Sequence, residues 1–214
     1  MKHLVDALAD PSAPTSVHDR REVENVHIAD SLVGLEVPAV KEAARIVDLG
    51  SGAGPPGLVL AIARPEAEVV LVESVGKKCA WLERTVSALG LENVRVVCAR
   101  AEELEEEPFD VVTARALASL SVLCEYAAPL LREGGALVAW KGAVDAQEEA
   151  DGLHAAGTLG LVRAEVRAVV PYTGSERRTL HVFRKVSPTP EGYPRRPGMA
   201  AKRPLTAPGI RSGR

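Results

Sequence analysis

The chain has 214 residues, 46% of them hydrophobic, which suffices for one domain with a sizeable core. Aromatic residues make up only 3%, so that core must consist mainly of Ala, Val and Leu. No apolar run approaches the roughly 20 residues that cross a bilayer. Residues 1–15 lack the basic and apolar regions of a secretory signal, so we predict a cytoplasmic protein without a membrane partner.

The formal net charge of −3 conceals an asymmetry between the C-terminal tail and the rest of the chain. Residues 184–214 contain eight Lys or Arg and one acid, a net charge of +7, so the preceding residues carry −10. A basic tail on an acidic body is typical of a protein with a polyanionic partner, but charged tails also serve solubility. Composition alone leaves both interpretations equally open.

The three cysteines are odd in number and lack the spacing of metal ligands. We therefore predict no metal site, and we interpret Cys79, Cys98 and Cys124 as small buried hydrophobic residues of a reduced protein.

The sequence divides into three regions. Residues 1–18 contain prolines and small polar residues, which predict an irregular N-terminus. Residues 19–186 should form the folded domain, and residues 187–214 form a basic tail whose prolines exclude regular structure. A weak helical pattern over 19–37 places His27, Asp30 and Ser31 on one face. A local hydrogen bond and a role in a site explain that face equally well.

From residue 46 onward strand and helix patterns alternate, which predicts an α/β domain with a mostly parallel sheet. Seven strands are predicted at 46–49, 69–72, 94–98, 109–113, 136–140, 160–170 and 179–185. Helices are predicted after residue 57 and at 77–89, 120–131 and 145–156. The last two strands are joined by a loop, so they should pair antiparallel at the sheet edge.

The first strand ends on Asp48 and breaks into a turn with four glycines before a helix begins near Gly57. Strand, glycine turn and helix N-terminus form the nucleotide-binding corner of a doubly wound domain. Residues 52–57 match G-x-G-x-x-G, and Glu73 follows Gly54 by 19 residues, as in a nicotinamide dinucleotide site. S-adenosylmethionine is the other candidate. Asp48 favours it, because an anion there would repel a pyrophosphate but would attract the cofactor's ammonium group.

Ligands of open parallel sheets bind at the carboxyl ends of the strands. At those ends Glu73 would accept hydrogen bonds from the ribose hydroxyls, Glu102 from the adenine amine, and the Ala101 N–H would face the ring. Two structural alternatives stay open: Glu73 as a cap of the next helix, and Glu102 as part of a solvated acidic run.

The fourth strand ends in Thr113-Ala114-Arg115-Ala116. This end has neither the Asn/Asp-Pro-Pro-aromatic motif of enzymes that methylate exocyclic amines nor the cysteine of pyrimidine C5 enzymes. An acceptor that is already nucleophilic needs neither feature, and guanine N7 is such an acceptor. Transfer to it would depend on orientation, which supplies roughly 7–11 kcal/mol in intramolecular models.

A series of motifs extends over residues 15–205. They are V-D-L-G-S-G-A-G-P-P-G (47–57), R-P-E (64–66), E-S-V-G-K-K (73–78), L-E-N (91–93), R-A-E-E (100–103), A-R-A-L-A (114–118) and K-G (141–142), with H-I-A-D-S-L (27–32) before them and Y-P-R-R-P-G (193–198) after them. In this order they closely resemble the bacterial family of small-subunit rRNA guanine-N7 methyltransferases, also called glucose-inhibited division protein B.

The resemblance implies a class I S-adenosylmethionine-dependent methyltransferase with a Rossmann-like fold. Its substrate would be N7 of one guanine in a decoding-region loop of 16S rRNA, free or in a precursor of the small subunit, and we expect a monomer. The expected cofactor-binding residues are Asp48, Gly50, Ser51, Gly52, Gly54, Pro55, Glu73, Ala101, Glu102 and Arg115. The expected catalytic residues are Arg115, for the cofactor carboxylate or the guanine, and Lys141. The expected RNA-binding residues are His27, Lys141, Arg195, Arg196, Lys202 and Arg203.

The chain departs from the family at two points. Its N-terminal segment is shorter, with only Pro14-Thr15-Ser16-Val17 left of a longer helical region, and Val26 replaces an Arg that usually precedes the histidine. Three other functions remain as alternatives: a methyltransferase of another RNA or a small molecule, a nicotinamide-dependent oxidoreductase, and a non-catalytic ribosome-binding module.

Overall fold

A computed structural model describes residues 1–208, in which a seven-stranded sheet has the order β3-β2-β1-β4-β5-β7-β6. The strands are β1 (Arg45–Leu49), β2 (Glu68–Glu73), β3 (Val94–Cys98), β4 (Phe109–Arg115), β5 (Leu131–Lys141), β6 (Leu161–Val169) and β7 (Arg178–Lys185). Strands β1 to β5 are parallel, and β7 pairs antiparallel with both β5 and β6. The predicted α/β class and the antiparallel pairing at the edge are confirmed.

Helices cover both faces of the sheet. They are α1 (Lys2–Ala9), α2 (Arg20–Glu22), α3 (Asp30–Leu32), α4 (Pro38–Glu42), α5 (Gly57–Ala63), α6 (Gly76–Leu89), α7 (Leu120–Ala127), α8 (Ala146–Thr158) and α9 (Met199–Lys202). Two hydrophobic clusters result. One packs α1 and α5 against one face of the sheet, and the other packs α7, α8 and α9 against the opposite face. None of the helices within residues 1–208 is both long and apolar enough to cross a membrane.

The structure corrects the expectation of an irregular N-terminus, because residues 2–9 form helix α1. Leu4, Val5 and Leu8 are buried in the first hydrophobic cluster, and this apolar face stabilises a helix that is too short to be stable alone. The prolines at 11 and 14 follow the helix and do not interrupt it.

The predicted helix over 19–37 is interrupted. A π-helical segment, Val23–Ala29, joins α2 to α3, and a 3₁₀ segment, Val33–Glu36, follows. Such π segments frequently occur at functional sites, and this one contains His27.

The tail also differs from its prediction, because α9 forms one helical turn within it. Ala200 of α9 is fully buried against the second cluster. The residues beyond 208, with the basic Arg211 and Arg214, lie outside the described residues.

The cysteines require a further correction. Cys79 of α6 and Cys98 of β3 form a disulfide, with their Cα atoms 5.7 Å apart. The expectation of three separate reduced residues was therefore wrong for this pair. It is met by Cys124, which is free and buried, and whose burial raises its thiol pKa. No signal in the sequence pairs the first two cysteines, because they meet only where α6 packs on β3.

Candidate active site

The glycine turn lies between the end of β1 and the start of α5, as predicted. Gly50, Gly52 and Gly54 have φ values of 67°, 56° and 107°, a region that a side chain strongly disfavours. A Cβ atom on Gly50 would lie 2.6 Å from Leu117, and one on Gly54 only 2.2 Å from Leu58. These glycines permit a tight turn whose backbone is open to a ligand.

Glu73 connects this turn to the end of β2. Its Oε2 accepts a hydrogen bond from the Gly52 N–H at 2.9 Å, and its Oε1 accepts from Ser74 and Val75 at 2.8 and 2.9 Å. The carboxylate therefore holds the turn before α6 as well as the glycine turn. Glu73 bonds to N–H groups that precede α6 and is not the cap of this helix, and its contact with the ribose stays a prediction.

Asp48 is almost completely buried under the glycine turn, with 1% of its surface exposed. Its Oδ1 accepts a hydrogen bond of 2.7 Å from the Thr113 hydroxyl, whereas its Oδ2 has no partner among the described residues. Burial raises the pKa of this carboxyl to about 6, and the bond from Thr113 opposes the shift. A buried oxygen without a donor suits a bound cation, and the cofactor's ammonium group fits that requirement. Ser51, also buried, donates from its hydroxyl to the Asp48 backbone carbonyl at 2.9 Å.

A cleft of about 200 Å³ begins beside Gly50 at the ends of β2 and β3. It is lined by Gly50, Val72, Ser74, Ala99, Arg100, Ala101, Glu102, Leu117 and Tyr126. Burial and the adjacent Glu102 carboxylate raise the pKa of Tyr126 to about 12, so this phenol is neutral. The cleft contains the residues that the sequence assigned to the adenine side.

The C-terminal tail contacts Glu102, one of the residues that line this cleft. The Gly198 N–H donates to Glu102 Oε1 at 2.7 Å, which orients the carboxylate from the tail side. Arg195 forms a bidentate salt bridge with the buried Glu125 of α7. Its Nε lies 2.8 Å from Oε1, and its Nη2 lies 2.5 Å from Oε2. The guanidinium of Arg195 is thus held by a carboxylate of the protein itself, which does not fit the expected contact with RNA.

Arg115, at the end of β4, points toward the N-terminal helices. Its guanidinium donates to the Val26 carbonyl at 2.7 Å and to Asp30 Oδ2 at 3.0 Å, and it lies 3.0 Å from His27 Nδ1. The next residue, Ala116, is the one non-glycine residue with positive φ, 53°, within the described part of the chain. Strain at this position marks the strand end as a constrained part of the site.

His27 is 8% exposed, and its Nε2 lies 2.9 Å from the Thr15 hydroxyl. Burial, followed by the positive charge of Arg115, lowers the pKa of this imidazole to about 4, so it is neutral at physiological pH. Both ring nitrogens are occupied within the protein, which does not fit the expected contact of His27 with RNA. The predicted local bond is present as well, since Ser31 Oγ donates to the His27 carbonyl at 2.5 Å.

Sequence reasoning missed Arg178, at the start of β7. Its Nε lies 3.5 Å from Oδ1 of Asp30, so two guanidinium groups share one carboxylate that is 1% exposed. The Asp30 backbone carbonyl also accepts from the Trp140 indole at 2.7 Å. Only the approach of β7 to α3 brings Arg178 to this site, and no local pattern indicates it.

Lys141 ends β5 and forms an ion pair of 2.7 Å with Glu148 of α8, while its Nζ also lies 3.1 Å from the Ala118 carbonyl. Three other basic residues of the predicted RNA set, Arg196, Lys202 and Arg203, are exposed on the tail. Pro55 is buried at the start of α5. The structure thus gathers the predicted cofactor residues and Arg115 at one edge of the sheet, with the tail beside them.

A glycine turn held by Asp48 and Glu73, in a sheet of this strand order, defines a class I S-adenosylmethionine-dependent methyltransferase. A solved S-adenosylmethionine-dependent O-methyltransferase from Thermotoga maritima has the same fold. It superposes with a TM-score of 0.62 at 18% identity, over 88% of this chain and 73% of that chain. A putative rRNA methylase from Clostridium thermocellum superposes with a TM-score of 0.55 at 15% identity, over 73% and 96% of the two chains.

The family is defined by closer relatives. The model of the GidB family, described as rRNA small subunit methyltransferase G, matches residues 7–177. Ribosomal RNA small subunit methyltransferase G of Roseiflexus castenholzii is 46% identical over 198 residues, which cover 89% of this chain and 83% of that protein. The corresponding protein of Moorella thermoacetica is 39% identical over 204 residues, 89% and 82% of the two chains. The chain therefore belongs to this family.

Family membership confirms three predictions: the resemblance, the methyltransferase activity and S-adenosylmethionine as cofactor. The nicotinamide alternative, which the glycine pattern left open, is thereby excluded. Asp48, the acid that distinguished the two cofactors in the sequence, lies beneath the turn.

Proposed function

We propose that this enzyme transfers the methyl group of S-adenosylmethionine to N7 of one guanine in a decoding-region loop of 16S rRNA. Membership in the rRNA small subunit methyltransferase G family supports small-subunit rRNA as the substrate. The end of β4 supports N7 as the acceptor atom, because Thr113-Ala114-Arg115-Ala116 offers neither a motif for an exocyclic amine nor a nucleophilic cysteine. The enzyme would act as a monomer in the cytoplasm.

Bound S-adenosylmethionine supplies a methyl group that is activated by its sulfonium. Because guanine N7 already has a free lone pair, the protein would not need to remove a proton from the acceptor, and S-adenosylhomocysteine would be the leaving group. The protein's task is to orient donor and acceptor, which intramolecular models value at roughly 7–11 kcal/mol. Asp48 would bind the ammonium group, Glu73 the ribose, and Ala101 with Glu102 the adenine.

Arg115 would hold the acceptor guanine. Its guanidinium is oriented by three groups of the N-terminal segment, and it does not line the cleft on the adenine side. We assign His27 to the orientation of Arg115 rather than to the RNA. Arg196, Lys202 and Arg203 would contact phosphates, which position an RNA without reading its sequence. Lys141 is already paired with Glu148, as Arg195 is with Glu125, so neither is assigned to the RNA.

Mass mapping of modified nucleosides in small-subunit rRNA tests the proposal. RNA from cells without the enzyme should lack one 7-methylguanosine, and purified enzyme with S-adenosylmethionine should restore it. Methylation of a different atom, of another RNA or of a small molecule would overturn the proposal. An unchanged rRNA, with the protein still bound to ribosomes, would favour the non-catalytic module.

A further inference from the structure

A groove lies between α1 and α6. It consists of two adjoining hollows of about 390 and 450 Å³, which share Ser12, Trp81 and Arg84 as lining residues. His3 lies at one end, and Lys77 with Lys78 lies at the other. We call this surface the α1–α6 groove.

The cations of the α1–α6 groove have no carboxylate partner. Within residues 1–208, no acidic oxygen lies within 4.0 Å of the charged nitrogens of Lys77, Lys78 or Arg84. The acids of the adjacent segment are already engaged: Asp6 with Arg20, and Asp10 with the Ser12 N–H. These three cations lie together on one surface of a body whose net charge is −10.

Two of these cations, Lys77 and Arg84, lie on the same face of α6. Lys77, Trp81, Arg84 and Ala88 are spaced i, i+4, i+7 and i+11, so they lie on one face of α6. At 1.5 Å per residue, Lys77 and Arg84 are about 10 Å apart along the axis. The indole of Trp81 forms part of the wall between them, although the residue is only 7% exposed.

The groove leads to the active site. Helix α6 begins at Gly76, three residues after Glu73, whose carboxylate holds both the glycine turn and the turn before α6. An extended polyanion in the groove would therefore reach the cofactor edge of the sheet at Lys77. The side chains of Lys77 and Arg84 are exposed to such a ligand.

We infer that the α1–α6 groove binds the phosphate backbone of the substrate RNA, next to the nucleotide segment that enters the active site. Cations without protein partners are the expected basis of such binding, since they release counterions from the RNA without breaking an ion pair of the protein. The inference deepens the proposed function and rests on it. It adds a second contact region, on the side of the cofactor edge away from the basic tail.

The test is charge reversal in the full-length enzyme. Lys77→Glu combined with Arg84→Glu should raise KM for small-subunit rRNA by about tenfold or more. The slope of log affinity against log salt concentration should become less negative by about 0.7–0.9 for each phosphate that the protein no longer neutralises. The kcat and the affinity for S-adenosylmethionine should stay within about twofold of the wild type. Lys41→Glu is the matched control. This exposed lysine lies on α4, which directly precedes β1 and so lies at the amino ends of the strands, away from the cofactor site.

Three outcomes would overturn the inference: an unchanged KM and salt slope, an equal effect of Lys41→Glu, or weaker binding to intact subunits with unchanged binding to naked rRNA. The last outcome would indicate a ribosomal protein as the partner. A thermal melt of each variant identifies unfolding, and Lys77→Ala with Arg84→Ala then repeats the test with a milder change. Mass mapping with the wild-type enzyme tests the proposed function separately, so the two failures are distinguishable.

Discussion

The buried environment of the Asp48 carboxyl group opposes its ionisation. The folded-state pKa of about 6 exceeds the ordinary value of 3.8, since burial removes the hydration of the charge. The native state therefore binds more protons than the unfolded state between pH 4 and 6. Ionisation of Asp48 lowers the free energy of unfolding as pH rises through this window, by up to about 3 kcal/mol for a shift of two pKa units.

We predict that Asp48→Asn becomes more stable relative to wild type as pH rises. The difference in free energy of unfolding should move in favour of the variant by up to about 3 kcal/mol from pH 4 to pH 8. His27 titrates in the opposite direction, because its pKa is lowered to about 4, so the two proteins must be compared at each pH. Urea denaturation at both pH values measures this, and a pH-independent difference would contradict it.

The same substitution should weaken the cofactor site. If Asp48 binds the ammonium group as proposed, loss of the carboxylate removes a charged hydrogen bond worth about 1.5–3 kcal/mol, or roughly 10- to 150-fold in affinity. Calorimetry with S-adenosylmethionine at pH 8 measures the effect. Thr113→Val is the control, since it removes the hydrogen bond at Oδ1 and leaves the carboxylate in place. Equal affinities of Asp48→Asn and wild type would show that the unpaired oxygen has no role in binding.

Arg115 is the second residue whose geometry carries a prediction. Arg115→Lys keeps the positive charge but cannot reach Val26, His27 and Asp30 together, because only the guanidinium has a planar fork of donors. We expect kcat to fall about 100-fold, as for a misplaced catalytic group, with little change in cofactor affinity. Single-turnover assays and calorimetry separate the two. A loss confined to cofactor affinity would assign Arg115 to the cofactor carboxylate, and Arg167→Lys on β6 is a surface control.

Among the elements, the tail differs most from what the sequence predicted. Its charge is compatible with an RNA contact, yet Gly198 and Arg195 both donate hydrogen bonds to acids near the cofactor cleft. Deletion of residues 187–214 would therefore disturb the cofactor site as well as any RNA contact. Point substitutions separate the two roles.

We predict that Arg195→Met weakens S-adenosylmethionine binding about tenfold, since the tail is then no longer paired with Glu125 and no longer orients Glu102. Isothermal calorimetry measures this effect. The double variant Lys202→Ala with Arg203→Ala should keep cofactor affinity and bind rRNA more weakly, because both side chains are exposed. If Arg195→Met instead weakened rRNA binding and the double variant weakened cofactor binding, Arg195 would be assigned to the RNA-binding surface.

The N-terminal helix shows why a local pattern can mislead. Residues 2–9 have an apolar face, but prolines soon follow, so the composition predicts an irregular segment. The helix forms because its apolar face packs against the π-helical segment and α6, which an eight-residue window does not contain. Thr15 contributes to the same assembly, because its hydroxyl lies 2.9 Å from His27 Nε2.

For the whole molecule, this packing makes the N-terminus part of the core rather than an appendage. Leu4 and Leu8 are fully buried in a cluster that also contains residues of β1 and β2. We predict that Leu4→Ala lowers the free energy of unfolding by about 2–5 kcal/mol in a single cooperative transition. Chemical denaturation measures this, with the exposed His3→Ala as control. A change below about 0.5 kcal/mol would show that the helix is detached in solution.

The sequence by itself determined the sheet, the glycine turn and the acids at the ends of β1 and β2. These features follow from short-range causes: strand and helix periodicities, the positive φ values of Gly50 and Gly52, and the tendency of parallel strands to end at one edge. Strand ends shifted by a few residues, and β5 begins at Leu131 rather than 136, because pairing with β4 extends it backward.

Only the tertiary structure decided which charges are used within the protein and which are left for a ligand. Arg195 and His27 are basic in the sequence, yet each is held by a partner 70 and 88 residues away, Glu125 and Arg115 respectively. Lys77 and Arg84 look like ordinary surface residues, yet they remain unpaired beside the site. The physical reason is that ion pairing depends on distances of a few ångströms between remote segments, and those distances exist only after the sheet, helices and tail have packed.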